Sequence, residues 1–119
     1  MPDPTEVRMT SSTGGQKGQK LCRMDLIPAK PLWMLGEIYG HGANKYLAHN
    51  WERGYDYSLS LAALHRHLNM WQQGETTDEE GFHHLTAVVF HAFAIQYFEE
   101  HHPEFDDVHF NPHELDPSN

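Results

Sequence analysis

Thr77–Glu100 reads TDEEGFHHLTAVVFHAFAIQYFEE, and its reading decides the fold. Thr77-Asp78-Glu79-Glu80 is a capping-box pattern, which predicts a helix running from there to about Glu100, ahead of Pro103. Leu85, Val88, Val89, Phe90, Phe93, Ile95, Tyr97 and Phe98 place apolar side chains nearly all round that helix. A helix of this kind has to be enclosed. Three helices cannot easily surround one of their own number, so the expected architecture is an all-α small helical bundle completed by homo-oligomerisation.

Two further helices are legible upstream. The first is predicted from Pro31, a good first-turn residue, to about Leu47, with Met34, Leu35, Ile38, Gly42, Lys45 and Tyr46 as its inner stripe. The second is predicted to start after Asp56 or Ser58 and to end at Gly74, with Leu61, Leu64, Leu68 and Trp71 as its core seam. Residues 1–20 are rich in Ser, Thr, Gly, Gln and Pro and read as a flexible arm. Residues 21–103 form the helical domain and 104–119 an irregular acidic tail. No alternating strand pattern of useful length is seen.

Composition narrows the function. At 119 residues this is one domain, and a single cysteine, Cys22, rules out an intrachain disulfide and is expected to be a small packing residue. No run of 18 apolar residues and no apolar leader is present, so no membrane partner is expected. A formal net charge of −9 argues against direct binding to duplex nucleic acid. All eight basic residues lie before residue 67, while the eleven acids from residue 67 onward meet no Lys or Arg. A basic half and an acidic half could hold an anionic ligand and a divalent cation side by side; an acidic tail kept for solubility accounts for the same pattern.

The basic half contains Gly42–Gly54, GANKYLAHNWERG, which gathers a Lys, an Arg, a His, two Asn, a Tyr and a Trp between two glycines. Stacking rings, amides and two cations suit a nucleobase with phosphates; a helix end with a mixed polar turn is the plainer reading. In the acidic half, Glu75, Asp78, Glu79 and Glu80 precede His83 and His84, and Glu80 has helical spacing to both histidines. A carboxylate and an imidazole placed so could meet one Mg²⁺ or Mn²⁺, although acids also gather at helix starts for the dipole. His84 and His91 lie two turns apart on one face. His65 reads as a hydrogen-bonded core histidine, and His101, His102, His109 and His113 as tail residues. Gly14–Lys20 could wrap a phosphate but lacks P-loop spacing.

Four ordered pieces carry a family resemblance: Arg23-Met24-Asp25-Leu26-Ile27-Pro28; Gly42–Tyr46 with His49-Asn50-Trp51; Arg66-His67-Leu68 with Trp71 and Gly74-Glu75; and Asp78, Glu80-Gly81 and His84-Leu85. Over roughly residues 14–98 the chain resembles the phage-encoded dATP/dGTP diphosphohydrolase N-terminal domain family, distantly like the all-helical MazG-like pyrophosphatases. The resemblance implies a purine deoxynucleotide ligand, in the cytoplasm of a phage-infected bacterial host. It also implies cleavage of the triphosphate to monophosphate and pyrophosphate with Mg²⁺ or Mn²⁺. Lys45, Asn50, Trp51, Arg53 and Arg66 would then contact the substrate, with Tyr46 and His67 beside them. Glu37, Glu75, Asp78 and Glu80 would hold the metal, and Glu75, Glu80 and His84 would serve the chemistry. The first helix offers Glu37 alone, and no acid occurs between Phe82 and Tyr97. A non-catalytic protein that sequesters a nucleotide or nucleotide-derived signal is therefore the second expectation, and a purely structural helical protein the third.

Overall fold

The computed structural model describes residues 6–109. Three helices make the body: α1, Ala29–Lys45; α2, Tyr57–Gln72; and α3, His84–His101. Single 3-10 turns lie at Met24–Leu26, Asn50–Arg53 and Pro103–Phe105. Helix α3 packs along α2 and, on another side, against α1. No helix among the described residues is long and apolar enough to cross a membrane.

The all-α expectation needs one addition. Strands β1, Glu6–Thr10, and β2, Gln16–Lys20, pair antiparallel as a hairpin in the segment read as an arm. Gly14, at φ +87°, turns the chain, and Ser11 N–H reaches Gly15 O at 2.7 Å. The pattern is faint because β2 carries no apolar side chain, and Val7 and Met9 of β1 stay about half exposed. A sheet without a buried face leaves no alternation to read.

Helix ends follow local chemistry. Gly74, at φ +100°, closes α2: its N–H reaches Trp71 O at 2.9 Å, and Glu75 N–H reaches Met70 O at 3.1 Å. These two bonds make a Schellman motif, which fixes where Glu75 emerges. The expected start of α3 is corrected. Asp78 does not open a helix; its Oδ1 accepts Glu80 N–H and Phe82 N–H, each at 2.9 Å. With Gly81 at φ +88°, that short carboxylate closes a turn instead. Helix α3 begins at His84, where the His83 ring Nδ1 accepts the Leu85 N–H at 3.0 Å.

The core is aromatic and sits at the C-terminal end of α3. Tyr57, Ala94 and Phe98 are fully buried, with Trp51, Tyr55, Ile95, Tyr97, Phe105 and Val108 packed around them. On α1 the expected stripe holds for Met34, Leu35, Ile38 and Gly42 and fails at Lys45 and Tyr46, which are exposed. On α2 the buried face is Tyr57, Ser60 and Ala63, while the expected seam is half-buried at its leucines and Trp71 is exposed. His65 and Cys22 are exposed rather than packed.

The chain after α3 is fastened down. The His102 ring reaches Glu52 O at 2.6 Å, and Asp107 accepts Ser58 N–H at 2.9 Å, capping the start of α2. His113 lies outside the described residues.

Candidate functional site

Gly42–Gly54 does form a cavity wall. The end of α1, where Tyr46 N–H returns to Gly42 O, leads into residues 46–50 and the Asn50–Arg53 turn. His49 takes a left-handed conformation, φ +63°, and holds Glu52 through its ring at 2.9 Å. The resulting cleft, about 690 Å³, is lined by Tyr39, Tyr46, Asn50, Trp51 and Arg53, with Phe90 and His91 of α3 behind them. Its rings brace one another edge-on: Tyr39 on Trp51 at 5.9 Å, Tyr39 on Phe90 at 5.0 Å, and Trp51 on Tyr97 at 4.8 Å. A volume of that order admits a nucleotide. Lys45 is not part of the lining; its ammonium lies over the Tyr46 ring, 5.5 Å from the centroid.

The acidic candidates line a second, smaller cleft of about 320 Å³. Arg66, His67 and Met70 come from α2, Glu75, Asp78, Glu79 and Glu80 from the loop, and His84 from α3. Arg66, His67, Glu75, Asp78, Glu80 and His84 are thus brought together as expected, but not as one carboxylate cage. Glu80 is not on the helix of His84. It pairs with His41 of α1 and borders a separate hollow that it shares with Glu37. Glu37 therefore stands apart from Glu75 and Asp78. Asp78 spends Oδ1 on two backbone N–H groups. Among the described residues, no three His, Cys, Asp or Glu side chains are disposed to hold a metal ion.

The two walls anticipated for a single site are two clefts, joined by a row of histidines. Tyr55 Oη meets Ser60 Oγ at 2.6 Å, and Ser60 Oγ meets His91 Nδ1 at 3.0 Å. The His91 ring, which lines the first cleft, stacks on His67, which lines the second, at 5.9 Å. His67 Nδ1 contacts His84 Nδ1 at 2.8 Å. Burial, followed by the neighbouring His67 and Arg66, pushes the His91 imidazole down to about 4. Burial also lowers His67, helped by Arg66 and His84. Both rings are neutral at pH 7, so the row can accept or pass a hydrogen bond without adding charge between the clefts.

His84 ends the row. It is 4% exposed, and its Nε2 has no hydrogen-bond partner; the nearest carboxylate oxygen, Glu75 Oε2, is 3.6 Å away. Tyr55 and Ser60 were not expected at the site, and His91 was expected only as the residue two turns from His84 on one face. The signal was there in Ser60, Ala63 and His67 at helical spacing, facing His84 and His91 two turns apart.

No curated protein and no solved structure matches the chain. The family model described as dATP/dGTP diphosphohydrolase, N-terminal, matches residues 11–108, which span the hairpin turn, all three helices and both clefts, and the chain belongs to that family.

Proposed function

We propose that the chain binds a purine deoxynucleoside triphosphate and cleaves it to monophosphate and pyrophosphate. The observation that carries this reading is the ring-lined cleft opening, through the stacked His91 and His67, beside a cleft lined by Arg66 and four acids. The base would lie among Tyr39, Trp51 and Phe90, with the Asn50 amide available to its polar edge. Arg53, with Lys45 nearby, would meet phosphate charge on one side, and Arg66 on the other. His67 and His91, both neutral, could hold the attacking water's proton or orient the water itself.

The residues fit a divalent cation in part. Glu75 and the buried His84 imidazole face each other across 3.6 Å, whereas Asp78 and Glu80 are engaged elsewhere. Mg²⁺ and Mn²⁺ are commonly held by one or two protein groups together with substrate phosphates, so an ion arriving with the nucleotide suits this donor set. When bound, it would supply charge neutralisation at phosphate and a more acidic water. The half-exposed Val89 and Phe93 of α3, with Leu32 and Trp33 of α1, are surfaces that a second copy would cover, and we propose a homo-oligomer acting in the cytoplasm of an infected host.

The test is mass recovery. With dGTP or dATP and Mg²⁺ or Mn²⁺, the protein should yield the monophosphate and pyrophosphate, and Glu75→Gln should abolish that release. Unchanged turnover in Glu75→Gln would refute the assignment. Nucleotide bound but recovered intact after denaturation would establish the second reading, sequestration, which the prior engagement of Asp78 and Glu80 favours.

A further inference from the structure

The end of the histidine row is chemically unfinished. His84 is buried inside α3's first turn, yet its Nε2 is aimed into the acidic cleft without a partner. A buried polar atom left unsatisfied costs roughly 1–3 kcal/mol, and native folds leave few of them. The contact between His67 Nδ1 and His84 Nδ1, at 2.8 Å, requires one nitrogen to donate and the other to accept. If a neutral His84 ring donates there, its Nε2 presents a bare lone pair to the Glu75 carboxylate, two acceptors facing each other. If His67 donates, His84 Nε2–H lies 3.6 Å from Glu75 Oε2, beyond hydrogen-bond reach. Neither arrangement completes the site from within the chain.

A cation does. Donors about 2.1 Å from one ion stand about 3–4 Å apart when their bonds make a right or wider angle, and the 3.6 Å between Nε2 and Oε2 falls in that span. The far nitrogen of a metal-ligating histidine is ordinarily held by a second group that fixes the ring; His67 holds this one. An imidazole in the donor set also bears on which ion enters. Hard Mg²⁺ prefers oxygen, while first-row divalent metals take imidazole better, least at Mn²⁺ and increasingly from Fe²⁺ to the later ions. We propose that His84 Nε2 and Glu75 form a two-donor half-site for a nitrogen-accepting divalent metal of the Mn²⁺ class, selecting it over Mg²⁺ and leaving its remaining positions to water or ligand oxygen.

The inference rests on the acidic cleft of the proposed reading but not on turnover, and it is tested with metal alone. Untagged protein is titrated with Mn²⁺, with free Mn²⁺ followed by electron paramagnetic resonance and bound Mn²⁺ examined for electron-spin-echo modulation from ¹⁴N. One site carrying nitrogen modulation is expected, with at least tenfold weaker competition by Mg²⁺. Glu75→Gln, on the exposed loop, should weaken Mn²⁺ tenfold or more with an unchanged melting temperature, and Glu79→Gln in the same cleft should not. His84→Gln should abolish the nitrogen modulation; if that variant does not fold, Glu75→Gln against Glu79→Gln decides alone. Equal competition by Mg²⁺, bound Mn²⁺ without nitrogen modulation, or equal losses in Glu75→Gln and Glu79→Gln would overturn the proposal. A thermal shift with dGTP in the absence of metal reads the ring-lined cleft separately, so failure here and failure of nucleotide binding are distinguishable.

Discussion

Replacing Phe98 with alanine removes the ring on which the body of the molecule closes. Phe98 is 0% exposed, and its ring lies 4.9 Å from Tyr55, 6.1 Å from Tyr57 and 6.2 Å from Trp51. Truncating a buried phenylalanine costs about 3–5 kcal/mol through lost transfer energy and the cavity left behind. The neighbours here come from α2, the turn before it and the chain after α3. Closing the gap would require three segments to move together, so a loss of about 4 kcal/mol is expected. Against a total of about 5–15 kcal/mol for a domain, that is a large fraction. With a urea slope of about 1.5 kcal/mol per molar, the unfolding midpoint should drop by about 2.5 M. Phe98→Leu, which keeps most of the volume, should lose about 1–1.5 kcal/mol. The measurement is urea unfolding followed by circular dichroism at 222 nm and by tryptophan fluorescence, which should agree if Trp51 reports the same transition. A loss below about 1.5 kcal/mol for Phe98→Ala, with an unchanged slope, would show that the C-terminal half of α3 is not the core.

Two further outcomes are expected. Gly54→Ala should lower stability by about 2 kcal/mol and the melting temperature by several degrees. The residue sits at φ +88°, and a Cβ there would lie 2.8 Å from both the His102 and the Phe105 rings; thermal melting checks it. His91, with a folded-state value of about 4 against 6.5 in the open chain, resists a proton that the unfolded state accepts. Its contribution is therefore intact above pH 6.5 and is lost as pH falls from there toward 4, by about 1 kcal/mol once solvent screening is allowed for. His91→Asn should flatten that part of the stability-versus-pH curve, measured by urea unfolding between pH 7 and 4.5; an unchanged slope would refute the assignment.

The helices were legible because their punctuation is local. Pro31 lies in the first turn of α1, which begins two residues earlier at Ala29, Asp56 stands just before α2, and Gly74 ends it; each acts through its own backbone, so the sequence alone carries it. The late start of α3 was hidden because Asp78 can cap a helix or close a turn, and Gly81 at a positive φ tips it toward the turn. That one change moved Glu80 off the helix of His84 and into the company of His41 and Glu37. The ring-bearing wall was readable as composition, since Tyr46, Asn50, Trp51 and Arg53 fall within eight residues of chain. The histidine row was not, because it joins α2 to α3, and the pairing of two helix faces is settled by packing rather than by spacing. The hairpin escaped for the opposite reason: it buries almost nothing, so burial left no imprint on its sequence.

The capping of α2 by Asp107 has a bearing on how the chain is made. Ser58 donates its backbone N–H to a carboxylate 49 positions later, and Phe105 and Val108 reach the same aromatic core. A helix whose first turn is completed that far downstream cannot be finished while the later residues are still inside the ribosome. Emerging segments can form α1 and α2 as fluctuating helices, but the body closes only once α3 and the seven residues after it, to Val108, have emerged. Closure of the body should accordingly wait for the segment around Phe105–Val108, which acts as the latch.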